Sequence, residues 1–206
     1  MRVIPVGEHA LLVELESAAG TEAFHAELLR RRDAGELPPV TDIVPAARTV
    51  LLDGLARPGE LAALLPAWTV PPAAGAGGPE IEIAVRYDGP DLAEVARRWQ
   101  VAPEEVPGIV GGLRFRVAFC GFVPGFGYLS GLPERLRLPR RASPRTAVPA
   151  GSVALADTYA GIYPRASPGG WQLIGTTGAV LWDQDREPAA LLVPGARVRF
   201  TTAEPV

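Results

Sequence analysis

Phe119-Cys-Gly-Phe-Val-Pro-Gly-Phe-Gly-Tyr-Leu129 packs glycine, proline and aromatic rings too densely for an ordinary loop, and Val148-Pro-Ala-Gly-Ser152 and Ser167-Pro-Gly-Gly-Trp171 repeat the habit downstream. Glycine permits backbone conformations and close approaches that a Cβ forbids, proline fixes φ, and large rings supply rigid walls. Together they describe a stiff cavity lined partly by main chain, which suits a small ligand.

Outward from these motifs the chain reads as short strands at residues 114–119, 152–155, 172–175, 180–182 and 198–201, divided by Pro and Gly turns. Many short strands so punctuated predict a compact β-barrel. Before them, Ile81, Ile83 and Val85 alternate as a strand, and Leu92, Val95, Ala96 and Trp99 fall on one face of a helix. Asp91 and Glu94 stand where a capping box would start that helix, and a second short helix begins near Pro103.

Residues 70–79 carry no charge and no amphipathic period, the composition of a linker. Before it, strands at residues 3–5 and 11–15 flank Gly7, and Phe24 and Leu28 mark a helix whose polar face carries Glu27. Strands at 43–44 and 49–52 and a helix at 59–65 complete a ββαββα order. The expectation is an α+β protein: a small α+β domain over residues 1–69, a linker over 70–79, and a β-barrel domain over 80–206.

Composition closes several chemistries. All 20 basic residues are arginine, which excludes a Schiff-base lysine, a biotinyl-lysine and a P-loop lysine on this chain. Two histidines and one cysteine supply metal ligands poorly, so no metal is expected. The net charge of −3 gives no general reason to expect nucleic acid, and no apolar run reaches the roughly 20 residues of a membrane-spanning helix. With one cysteine and no signal-like N-terminus, a cytoplasmic location is the default expectation.

Arg135, Arg137, Arg140, Arg141 and Arg145 form a cluster that reads either as an anion site or as a solvated basic loop. Arg145 stands apart, because flanking prolines could aim it at the cavity. Ser152 and Ser167 could donate to a ligand oxygen, but neither has a neighbouring histidine base, and the Gly-x-Ser-x-Gly elbow is absent. Tyr128, Tyr163 and Trp171 read equally as pocket walls or core aromatics. Cys120 reads as a small buried hydrophobe, and Asp183 as a strand-end turn residue.

The quoted motifs, with Pro139-Arg-Arg-Ala-Ser-Pro-Arg145, Gly161-Ile-Tyr-Pro164, Met1-Arg-Val-Ile-Pro-Val-Gly7 and Val44-Pro-Ala-Ala-Arg-Thr-Val50, resemble in order and spacing the B subunits of bacterial 5-oxoprolinases. That family is also known as allophanate hydrolase subunit 1 or carboxyltransferase subdomain C/D. The resemblance covers essentially the whole chain. It implies a cyclophilin-like second domain, and association with the C and A subunits of the same system to open 5-oxoproline to glutamate with Mg-dependent ATP. Some relatives resemble inhibitors of sporulation histidine kinases, which leaves a regulatory binding protein, or a catalytically silent scaffold, as alternatives.

Under the enzyme reading Arg145, Tyr163 and Ser167 are the catalytic candidates, with Arg145 orienting a small anionic substrate. Pro124, Gly125, Tyr128, Ser152, Gly169, Gly170 and Trp171 are then the candidate substrate- or nucleotide-binding residues. Three places depart from the family pattern: Tyr159 and Ala160 replace an amide and a hydroxyl, a family histidine falls at Val110, and a Gly-Arg-Thr-Pro motif has become Gly175-Thr-Thr-Gly178.

Overall fold

The computed structural model describes residues 1–72 and 78–203. The chain separates into two compact units, Met1–Ala76 and Gly77–Val206. The expected linker lies in part, at residues 73–77, outside the described residues.

The first unit runs β1 (Arg2–Val6), β2 (Ala10–Glu14), α1 (Ala18–Asp33), β3 (Asp42–Pro45), β4 (Thr49–Asp53) and α2 (Pro58–Leu64), the ββαββα order read from the sequence. Its antiparallel sheet has the order β1-β2-β4-β3. Alternate residues Leu11 and Val13 of β2, and Val50 and Leu52 of β4, point to one face, where Phe24 and Leu28 of α1 and Leu61 of α2 cover them. The Ser17 hydroxyl caps α1 by accepting the Gly20 N–H at 3.1 Å. Glu27, expected on the polar face, is only 5% exposed; Arg30 and Arg31 grip it at 2.9 and 2.6 Å, so it is a buried ion-pair partner.

The second unit contains β5 (Glu80–Val85), α3 (Leu92–Trp99), α4 (Val106–Gly112), β6 (Phe115–Cys120), β7 (Gly127–Ser130), β8 (Arg145–Val148), β9 (Ser152–Ala156), β10 (Tyr159–Ile162), β11 (Ser167–Gly169), β12 (Gln172–Thr176) and β13 (Arg197–Thr202). Seven strands form one sheet in the order β12-β9-β10-β7-β6-β13-β5. β13 lies between β5, to which it is parallel, and β6, to which it is antiparallel. The two edges then meet: Arg86 and Thr176 exchange backbone hydrogen bonds of 2.8 Å in each direction, so the sheet rolls into a nearly closed barrel. Inward residues such as Ile83, Val117, Leu129, Leu155, Ile174 and Phe200 fill it, and α3 and α4 pack Val95 and Val110 into the same core. A two-stranded ribbon, β8 with β11, stands apart from the main sheet.

Three expectations are corrected. Residues 180–182 form no strand; Trp182 makes a single bridge to Ala190. Strands β7, β10 and β11 contain Gly, Ser or Pro, and β8 is the four-residue Arg-Thr-Ala-Val, so none gives an alternating apolar signal, yet the barrel and its ribbon supply their hydrogen-bond partners. The capping box at α3 does not form, because Asp91 makes no side-chain cap; its carboxylate is used elsewhere.

Barrel closure requires glycine at position 175, where a Cβ would be driven into the Arg86 carbonyl oxygen. Gly175→Ala should therefore destabilise the protein by about 1–3 kcal/mol in urea unfolding. Gly108→Ala, in α4 with nothing within 4 Å of the new methyl, should stabilise by about 0.4–1 kcal/mol. Equal effects from the two substitutions would refute the seam's role.

Candidate aromatic recess

The loop joining β6 to β7 is a tight turn in which the Val123 N–H donates to Gly121 O at 2.9 Å and the Phe126 N–H to Val123 O at 3.0 Å. Gly125 takes φ +83° there, and a Cβ would sit 2.9 Å from the Trp182 Cβ. Phe122 adopts φ +72°, a left-handed conformation uncommon for a bulky residue, and its ring is 54% exposed. The turn places Phe126 at the centre of an aromatic cluster. Its ring centroid lies 5.5 Å from Phe122, 5.0 Å from Tyr128, 5.5 Å from Tyr163 and 5.6 Å from Trp171. Gly161 of β10 makes room for this, since a Cβ would lie 2.8 Å from Phe126 and 3.1 Å from Trp171.

These rings wall a recess of about 90 Å3, completed by the Pro168–Gly170 segment and, at its exposed rim, by Arg140. Burial raises the Tyr163 phenol above its ordinary value, opposed by the Trp171 backbone N–H and by the Arg140 charge. At neutral pH the phenol is thus protonated and able to donate a hydrogen bond. Gly169 must lack a side chain because the Tyr163 hydroxyl occupies the place of its Cβ.

Of the residues expected at the site, Tyr128, Tyr163, Gly169, Gly170 and Trp171 meet in this recess. Pro124 and Gly125 instead line a separate hollow of about 410 Å3, with Cys120, Trp182 and Leu192. Ser152 and Ser167 are buried; the Ser167 hydroxyl donates to the Arg165 carbonyl at 3.1 Å, and the Ser152 carbonyl accepts the Tyr163 N–H at 3.0 Å. Cys120 donates its thiol to Leu192 O at 3.3 Å, and burial pushes its pKa up to about 11, so it holds no thiolate at neutral pH.

Arg145 is engaged by Asp91. Arg145 Nη2 and Arg141 Nη1 both donate to Asp91 Oδ1 at 2.8 Å, while Asp91 Oδ2 accepts the Leu173 N–H at 2.8 Å. Arg145 Nη1 is buried without a hydrogen-bond partner. The backbone of Arg145 pairs with Gly169 across the β8–β11 ribbon, so its ion pair braces one wall of the recess. Burial alone would raise the Asp91 pKa, but the Arg145 and Leu173 hydrogen bonds and the two guanidinium charges outweigh it and hold the carboxyl below its ordinary range.

Reading the sequence missed Phe122, Phe126 and Pro168 as wall residues and passed over Arg140 within its cluster. The flanking Phe-Val-Pro-Gly-Phe and Ser-Pro-Gly-Gly motifs carried the signal for the first three. The departures from the family pattern lie outside the recess lining. Val110 is fully buried in the barrel core, and Tyr159 stands edge-on to Phe119 and Tyr128. Ala160 is buried in β10, and the Thr176 hydroxyl donates to Asp88 at 2.9 Å beside the barrel seam. Among the described residues no three His, Cys, Asp or Glu side chains gather as metal ligands, and no helix is long and apolar enough to cross a membrane.

The family described as carboxyltransferase domain, subdomain C and D, matches residues 1–192. The chain is 39% identical to the 5-oxoprolinase B subunit of Escherichia coli O157:H7, over 95% of this chain and 93% of that protein. It is 36% identical to the 5-oxoprolinase B subunit of Haemophilus influenzae (strain ATCC 51907 / DSM 11121 / KW20 / Rd), over 97% of each. Among solved structures, TTHA0988 matches with a TM-score of 0.77 and 38% identity over 97% of this chain. The chain spans only 40% of the length of TTHA0988.

Asp91→Asn should weaken the clamp on both arginines and destabilise the protein by about 2–3 kcal/mol at pH 7. Because the folded carboxyl titrates below its unfolded value of about 3.9, its stabilisation is complete above that value and disappears as pH falls through the folded pKa. The gap between variant and parent should therefore narrow on acidification. Urea unfolding at pH 7, 4 and 3 measures it, and a gap constant with pH would contradict an ionic clamp.

Proposed function

The chain belongs to the carboxyltransferase domain, subdomain C and D, family, and from that premise we propose that it is the B subunit of an ATP-dependent 5-oxoprolinase, working with companion A and C subunits. Near-full-length relatives that carry this name favour the reading over the regulatory and silent-scaffold alternatives. The observation in the molecule that carries the reading is the aromatic recess with a cation at its rim, suited to a small ring bearing a negative charge.

A lactam is a poor electrophile because nitrogen donates its lone pair into the carbonyl. In the assembled enzyme ATP would supply its γ-phosphoryl group to the lactam oxygen; one water would add to the activated carbon and the ring C–N bond would break, the amine taking up a proton and leaving a γ-acyl phosphate, which a second water would hydrolyse to the free carboxylate and phosphate. The products are glutamate, ADP and phosphate. This chain's share is to hold the ring: Phe126, Tyr128 and Trp171 grip its faces, and the Tyr163 phenol offers a donor to an oxygen. A nucleotide does not fit the recess. At about 90 Å3 it is well below the roughly 300–1,000 Å3 of a complete small-molecule site, and the chain has no lysine for phosphate. We therefore assign the ATP phosphates to the companion subunits.

The same small volume explains why this chain does not act alone. Phe122, 54% exposed, borders both the recess and the neighbouring hollow, and Trp182, 46% exposed, lines that hollow with it, so an apolar surface continues from one to the other. Exposed apolar patches of this kind mark association surfaces. A companion seated there would cover the recess and exclude water.

Co-expression with homologues of the A and C subunits should give a complex that converts 5-oxoproline to glutamate only with ATP. This chain alone should release no phosphate. Phe122→Ser with Trp182→Ser should reduce co-purification of the companions at least several-fold without unfolding the chain. Turnover by the isolated chain, or undiminished assembly of the double variant, would count against this division of labour.

A further inference from the structure

Five arginines crowd residues 135–145, and the structure separates them by what already neutralises each. Arg137 pairs with Asp157 at 2.7 Å and Glu134 at 3.1 Å. Arg141 and Arg145 share Asp91. Arg135, on the three-residue turn Glu134–Leu136, lines none of the hollows described above. Arg140 alone lines the aromatic recess, and among the described residues its side chain makes no ion pair or hydrogen bond. It also borders a second hollow of about 490 Å3 whose one carboxylate, Asp157, is taken by Arg137.

We infer that Arg140 is the residue that receives the substrate's carboxylate, with the lactam ring lying among Phe126, Tyr128 and Trp171, and that Arg145 serves as a positioning residue for the wall. The inference rests on the reading of this recess as the 5-oxoproline site. A guanidinium presents a fork of donors that matches a carboxylate in two parallel hydrogen bonds. One already committed to a buried aspartate cannot leave it without stranding that charge. Arg140 has no such commitment, and its exposed position lets an incoming anion reach it before the recess is covered. Phosphate is an oxyanion too, but the ring-walled recess beside Arg140 takes a small flat group better than a triphosphate.

The test compares Arg140→Met, Arg140→Lys and Arg145→Met in the assembled complex. For Arg140→Met the KM for 5-oxoproline should rise about tenfold or more, the loss of one charge-assisted contact, with kcat and the KM for ATP little changed. Arg140→Lys should recover part of the loss, and thermal unfolding of both Arg140 variants should match the parent. Arg145→Met should instead lower the unfolding temperature. The parent complex should also discriminate against the carboxamide of 5-oxoproline, and Arg140→Met should lose that discrimination. An unchanged KM, retained discrimination, or a shift confined to the KM for ATP would overturn the inference while leaving the 5-oxoprolinase reading intact. A parent complex inactive on 5-oxoproline would overturn both.

Discussion

One buried carboxylate organises the second unit. Asp91 sits at the start of α3, accepts the Leu173 N–H of β12, and holds the guanidinium groups of Arg141 and Arg145. It thereby ties a helix, the barrel and the segment leading into the β8–β11 ribbon at a single point that is 5% exposed. Charge removed from water so fully is tolerated only when it is paired and hydrogen-bonded, and here two guanidinium groups donate to one oxygen and a backbone amide to the other. The ribbon it fixes carries Ser167, Pro168 and Gly169, so the shape of the recess depends on this pairing.

The recess is built by a different means. Phe126 touches four rings at centroid distances of 5.0 to 5.6 Å, mostly edge to face, the arrangement that aromatic quadrupoles favour. Rings locked against one another lose little freedom when a ligand arrives, so the cavity is prepared in advance. Glycines at 161 and 169 are needed because the rings and the Tyr163 hydroxyl fill the space of their missing side chains. What remains is a recess of about 90 Å3 with Arg140 at its exposed rim.

Division of labour among the arginines follows from neighbouring carboxylates. In the sequence Arg140, Arg141 and Arg145 look alike, and the prolines around Arg145 make it the attractive candidate. Asp91 lies fifty residues from Arg141 and fifty-four from Arg145 in the chain, so only the fold could show that it neutralises both and leaves Arg140 free. The departures from the family pattern have a similar character. Val110 and Ala160 serve packing, Tyr159 joins the rings, and Thr176 joins the hydrogen bonds beside the barrel seam.

The sequence by itself determined the ββαββα order of the first unit, the barrel character of the second, and the motifs from which most of the recess wall is drawn, because alternation, glycine and proline act locally on the backbone. It left β7, β8, β10 and β11 unread, since strands of three or four residues with no apolar alternation carry no local signal and exist only through the partners that long-range pairing gives them. The tertiary structure decided that β13 runs between β5 and β6, that Pro124 and Gly125 face a different hollow from Tyr163 and Trp171, and that Arg145 is already paired. Each of these turns on which distant residue arrives alongside, a matter of packing and charge pairing that no local pattern records.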